Sequence, residues 1–208
     1  ISNGSGHNID TWLWNMGDPI PGSGPTFATT SPTHQFGAGT YDVTLEVWDN
    51  QTPACYDSEI ISVLVNENPI ADFSSTSECD SVACTEFTDL SSSPATINSW
   101  NWTISPGDYC GNFTNFYQEP NFLFNASGIH PVTLVIMDDN YCSDTATNNV
   151  VVYANPIANF TNSTVLCQND TINFCDTSIW GDGTIDTWDW TFGPCANTLN
   201  PPASDNCE

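Results

Sequence analysis

Carboxylates are the one chemically active side chain that this chain carries in quantity. It has 25 Asp and Glu, three His and no Lys or Arg at all, for a formal charge of −25. Asp is a hard oxygen ligand, and loops where acids and carbonyls converge suit the roughly six to eight oxygens of a Ca²⁺ shell. The densest such loop is Asp138-Asp139-Asn140 with Asp144, and Asp49, Asn50 and Asp57 are its counterpart earlier in the chain. Asp138, Asp139 and Asp144 are thus the expected ligands if a metal binds, with Ca²⁺ the one cofactor suggested. The plainer alternative is a set of solvated turn acids. Trp180-Gly181-Asp182-Gly183 reads as a turn and not as an EF-hand.

Catalysis has little else to draw on. His7, His34 and His130 are the only imidazoles, none beside a nucleophile-elbow pattern. His130 also falls on an alternating, core-type position. We expect no enzyme activity and no catalytic residue here. Nine Cys, none in a C-x2-C pair, point away from zinc and toward disulfides in an oxidising compartment. Cys79, Cys84, Cys110 and Cys142 allow three full pairings. Cys167, Cys175, Cys195 and Cys207 form a second set, in which Cys195 with Cys207 would close a short loop.

The missing cations exclude partners as well. At ordinary usage about twenty Lys and Arg would be expected. Without them there is no phosphate clamp, so nucleic acid is excluded, as is attraction to anionic lipid. No apolar run approaches the ~18–20 residues of a membrane span. Ile1 opens no signal peptide, so any export signal is expected upstream.

The elements that must hold these residues announce themselves by repetition. Ile9-Asp10-Thr11-Trp12-Leu13-Trp14, Ile97-Asn98-Ser99-Trp100-Asn101-Trp102 and Ile185-Asp186-Thr187-Trp188-Asp189-Trp190 follow one another at intervals of 88 residues. On a strand, alternate side chains share a face, so Trp100 and Trp102 point one way and Asn101 the other. Trp12, Trp14, Trp100, Trp102, Trp188 and Trp190 are accordingly expected to anchor cores; the sharper alternative is an aromatic platform for a sugar. Tyr41, Val43, Leu45 and Val47 alternate with polar residues, which predicts a half-buried strand over 39–47. A second strand is expected over 60–65, and 128–136 repeats the first, with Pro131 placing its start at a sheet edge or bulge. With 14 Pro, 13 Gly and no helical period, the fold class is all-β, a set of sandwich repeats.

The repeat predicts three units: 1–67 lacking its first strands, 68–154 complete, and 155–208 lacking its last strands. The joints near 66–68 and 153–155 are short, which favours a stiff rod. Either the units belong to a longer array, or a neighbouring chain supplies the missing strands.

This pattern resembles the PKD family of immunoglobulin-like β-sandwiches, whose hallmark runs W-x-W-x-F-G-D-G, then P-x-H-x-Y, then G-x-Y-x-V-x-L-x-V. Trp12 to Asp18, Pro32-Thr33-His34-Gln35-Phe36 and Gly39 to Val47 carry the three parts. The middle unit departs at Ile104-Ser105-Pro106-Gly107-Asp108, and the third at Phe192-Gly193-Pro194, which lacks the Asp. The cysteine placement is similar to that in very large surface proteins of Bacteroidota. The resemblance implies tandem repeats of about 88 residues in an extracellular, cell-surface filament or adhesin, acting as a disulfide-stapled spacer. Expected partners are other repeats of the same protein, a homo-oligomer, or glycans and proteins of a target cell. In such a sandwich Cys79 and Cys142 lie at opposite ends, so a bridge between repeats is as reasonable as one within. The other function it implies is a carbohydrate- or protein-binding accessory region of a secreted hydrolase.

Overall fold

The computed structural model describes residues 9–17, 26–51, 53–111, 113–163 and 172–191. Among these every regular element is a β-strand, as the short alternating runs require. The first four are β1 (Ile9–Asn15), β2 (Thr26–Phe27), β3 (Gly39–Asp49) and β4 (Tyr56–Val65), an antiparallel sheet in the order β2-β1-β3-β4. Its register sets Trp12 opposite Val47, Trp14 opposite Leu45 and Tyr41 opposite Val63. Rings thus meet aliphatic partners across the ladder, which is how a sheet face gains its stability.

Seven strands follow: β5 (Phe73–Ser75), β6 (Thr85–Asp89), β7 (Ile97–Thr103), β8 (Gly107–Tyr109), β9 (Asn121–Phe124), β10 (Gly128–Asp138) and β11 (Ser143–Val152). They form sheets in the orders β5-β6-β9-β8 and β11-β10-β7. Lettered A to G along the chain, these are the ABED and GFC sheets of an immunoglobulin-type sandwich. Last come β12 (Phe160–Asn162) and β13 (Phe174–Asp176), paired antiparallel so that Phe160 meets Asp176 and Asn162 meets Phe174. By contact the chain gathers into two compact units. One is Ile1–Ile70 with Ser92–Asn98 and Ile136–Asp144; the other is Ala71–Ser91 with Ser99–Val135 and Thr145–Glu208.

Strand period decides what is buried. On β10, His130, Val132, Leu134, Ile136 and Asp138 are buried, whereas Ile129 is 66 % exposed. Phe122 and Phe124 of β9 and Val150 and Val152 of β11 are buried too. Trp102 is 2 % exposed, its ring centroid 5.0 Å from that of Phe73 and 5.2 Å from that of Phe87. The same trio recurs as Phe160, Phe174 and Trp190, with Trp190 at 5.4 and 6.0 Å from the two phenyl rings. Trp12, Trp14, Trp100, Trp188 and Trp190 are only half-buried, so Trp102 alone of the six is a fully enclosed anchor.

Pro131 is the fourth residue of β10, the central strand of its sheet. The seven residues of β7 cannot flank all eleven of β10, which leaves room near the start of β10 for a residue with no N–H to donate.

Trp102→Ala should destabilise the middle repeat by about 3–5 kcal/mol, read as a shift of its urea midpoint. Asn101→Ala, on the exposed face, should change it by less than about 0.5 kcal/mol.

Candidate functional site

Of the carboxylates that sequence alone marked as ligands, Asp138 ends a strand, as does Asp49 in the earlier counterpart loop. Asp49, Asp89, Asp138 and Asp176 are the last residues of β3, β6, β10 and β13. In each, Oδ1 accepts a backbone N–H from two residues on: Gln51 at 3.1 Å, Ser91 at 3.0 Å, Asn140 at 2.9 Å and Ser178 at 3.0 Å. This is the Asx turn, in which a short carboxylate imitates a backbone carbonyl as the chain leaves the ladder. One chemical rule thus ends four strands.

Two of the four also accept an indole N–H. The Trp100 indole Nε1–H donates to Asp89 Oδ2 at 2.7 Å, and Gln118 Nε2 donates to the same oxygen at 3.0 Å. The Trp188 indole repeats the contact on Asp176 Oδ2 at 2.9 Å. Burial pushes the Asp89 carboxyl up, but the hydroxyl and N–H of Ser91, the Trp100 indole and the Gln118 amide together hold it below its ordinary 3.8. On Asp176 the Ser178 hydroxyl acts most strongly, then the Ser178 N–H and the Trp188 indole, and they hold that carboxyl below 3.8 against a weak opposing effect of burial. The second indole of a pair has a different partner: Trp102 Nε1 donates to the Tyr117 carbonyl and Trp14 Nε1 to the Thr29 carbonyl, each at 2.9 Å and each fifteen residues on. The indole N–H groups of Trp14, Trp100, Trp102 and Trp188 are therefore occupied within the protein.

Asp138 is fully buried, and both of its oxygens are committed. Oδ1 accepts from Asn140 and from the Cys142 N–H at 3.0 Å, while Oδ2 accepts from the Ser93 hydroxyl at 3.0 Å. Its backbone N–H donates to the Cys142 carbonyl at 3.0 Å. Asp49 holds Cys55 by the same pair of bonds, at 2.8 and 3.1 Å. Asp139 accepts from Asn98 Nδ2 at 2.7 Å, and Asp144 is half-buried on β11. Among the described residues no three His, Cys, Asp or Glu side chains gather to hold a metal ion. Asp138 is a turn-closing residue, with donors already in place on both oxygens.

The cysteines divide by position. Cys84, just before β6, is bonded to Cys110, just after β8, across a separation of 26 residues. Cys55, Cys79 and Cys142 carry free thiols. Cys175 is disulfide-bonded, and its partner, like Cys167, Cys195 and Cys207, lies outside the described residues. His130 is a packed, buried residue. Its ring stacks on Phe124 at 4.8 Å and its Nε2–H donates to the Ala126 carbonyl at 2.9 Å. Tyr41 makes the equivalent latch, donating its hydroxyl to Gly37 at 3.1 Å. Beside the third tryptophan pair a cavity of about 460 Å³ opens, lined in part by Phe160, Phe174, Asp176, Ser178, Trp188 and Trp190.

No protein-family model matches the chain, and no curated protein matches it either. Among solved structures, the extracellular cadherin domains 1–5 of protocadherin gamma B2 are similar over 84 % of this chain and 40 % of that one, at 12 % identity and a TM-score of 0.31. The class of the fold is therefore read from the chain's own strand order, an immunoglobulin-like all-β sandwich.

Two outcomes follow from the carboxylates. Asp138→Ala strands two backbone N–H groups and a hydroxyl, each hydrogen bond to a carboxylate being worth about 1.5–3 kcal/mol, and should loosen the β10–β11 turn; loss of amide-exchange protection at Cys142 is the measurement. For Asp89 the folded carboxyl titrates below the unfolded one, near 3.9. Its contribution is complete above that value and vanishes as pH falls through the folded value. Asp89→Asn, which sets an amide N–H₂ or a weaker oxygen against the Trp100 indole, should flatten the acid limb of stability measured by urea unfolding between about pH 5 and pH 2.

Proposed function

We propose that the chain is a run of PKD-like repeats on the outside of a cell, acting as a stiff, disulfide-stapled spacer in a filament or surface adhesin. The observation that carries this reading is recurrence. An aromatic trio, an indole–carboxylate hydrogen bond and an Asx turn recur 87 to 88 residues apart, at Trp100 with Asp89 and at Trp188 with Asp176. A module repeated at that period, with each copy keeping its own interior, is how extended spacers are built. The disulfides at Cys84–Cys110 and Cys175 favour an oxidising compartment. A surface of acids with no cation repels its own copies laterally, which keeps such a run soluble and separate. Its partners in this reading are further repeats of the same protein and, at the far end of the spacer, a target surface.

Antibody raised against the repeats should label intact cells of the source organism without permeabilisation; labelling only after lysis would overturn the surface reading. The staple has its own measure. Replacing Cys84 and Cys110 by Ser should lower the middle repeat's stability by about 3–4 kcal/mol for a loop of this length, seen as a drop in urea midpoint that dithiothreitol reproduces in the unmodified protein.

A further inference from the structure

The segment that joins the second and third repeats, Tyr153-Ala154-Asn155, is short, and its backbone is occupied at every residue. Asp80, in the loop between β5 and β6, accepts the Asn155 backbone N–H on Oδ1 at 3.3 Å and the Asn155 Nδ2 on the same oxygen at 2.8 Å. The Asp80 carbonyl accepts from Asn155 Nδ2 as well. The Asp80 N–H donates to the Tyr153 carbonyl at 2.9 Å, and the Tyr153 N–H donates to the Glu78 carbonyl at 3.0 Å. From the other side Asp182 accepts the Ala154 N–H on Oδ2 at 2.6 Å and returns its own N–H to the Ala154 carbonyl at 3.4 Å. Gly181 permits that approach, since a Cβ there would lie 2.0 Å from the Ala154 carbonyl oxygen. Two residues past Asn155, Ile157 and Ile179 exchange backbone bonds at 2.9 Å in both directions.

A free linker leaves its amides to water. Here three successive N–H groups go to three different acceptors: Glu78 and Asp80 come from the repeat before the joint, Asp182 from the repeat after it. We infer that Asp80 and Asp182 form an interlock that fixes the direction in which the β12–β13 segment leaves the end of β11. Each carboxylate meets a backbone donor that no β-ladder satisfies, so freeing the joint would leave all of these groups to be rehydrated together. Neither residue belongs to the strand-ending Asx turns, and neither is needed to complete a sheet. Their placement is explained by the joint alone.

The interlock supplies the stiffness on which the spacer reading relies. It is tested on the whole chain, isotope-labelled and weakly aligned. Residual dipolar couplings of amides in β11 and in β12–β13 should fit one alignment tensor; a need for two in the unmodified protein would overturn the interlock. In the Asp80→Ala, Asp182→Ala double variant two tensors should be required. Exchange of the Ala154 and Asn155 amides should accelerate at least about tenfold, with Val150 and Val152 unchanged. Gly181→Ala keeps both carboxylates but forces the turn away from Ala154, and it should split the tensors too. A single tensor in either variant would overturn the interlock, and Gly181→Ala decides the matter if the double variant loses the β12–β13 fold. A jointed chain that still labels at the surface would sink the interlock alone, and a rigid one found inside cells would sink the spacer reading alone.

Discussion

Each carboxylate that leaves water in this protein must be answered without a cation. A buried or half-buried carboxylate is costly unless hydrogen bonds replace its hydration, and the usual solution, a guanidinium or ammonium partner, is absent from the sequence. Neutral donors take its place: indole N–H on Asp89 and Asp176, hydroxyls on Asp138 and Asp176, amides on Asp89 and Asp139, and backbone N–H groups on nearly all of them. The need runs both ways. A strand that ends leaves backbone donors with no ladder partner, and a carboxylate placed on the last strand residue collects them. Asp49, Asp89, Asp138 and Asp176 all stand where the ladder stops, and turn geometry and electrostatics are met by one residue.

The same bonds shape the loop whose acids look like a cation site. A calcium loop holds several carboxylate oxygens turned inward and unsatisfied until the ion arrives. Around Asp138 the oxygens are turned toward Ser93, Asn140 and Cys142, and the loop is closed without help. The hairpins also show how far one device tolerates change. Asp49 grips Cys55 over six residues and Asp138 grips Cys142 over four, with the same two bonds. Tyr41 and His130 likewise anchor to a carbonyl four residues back, one through a hydroxyl and one through an imidazole. What persists between repeats is the hydrogen bond, and the side chain that makes it can vary.

The alternating runs, the 88-residue period and the side-by-side facing of each tryptophan pair are local properties, set by the two-residue repeat of a strand and by the chain's own register. They are legible because no distant residue has to be known. The all-β class and the burial stripe on β10 follow from them directly. Partnership is another matter. Trp100 meets Asp89 eleven residues away, Ser93 meets Asp138 across 45, and Asp80 meets Asn155 across 75. No periodic pattern signals such pairs, although the matched Phe-x-Asp triplets at 87–89 and 174–176 were a visible hint that Asp89 and Asp176 share one task.

The cysteines draw the same line. Nine of them spoke for disulfides, but three pairings of the middle four were equally open until the fold brought the residue before β6 beside the residue after β8 and so joined Cys84 to Cys110. The sequence by itself determined that this is an acidic, repeating β protein with tryptophans turned toward its interiors, because composition and alternation depend on nothing beyond the local chain. Only the tertiary structure decided that Trp102 alone is enclosed, that Asp138 closes a turn, and that Asp80 and Asp182 meet the joint. Those outcomes depend on which distant donors the sheets carry to each carboxylate.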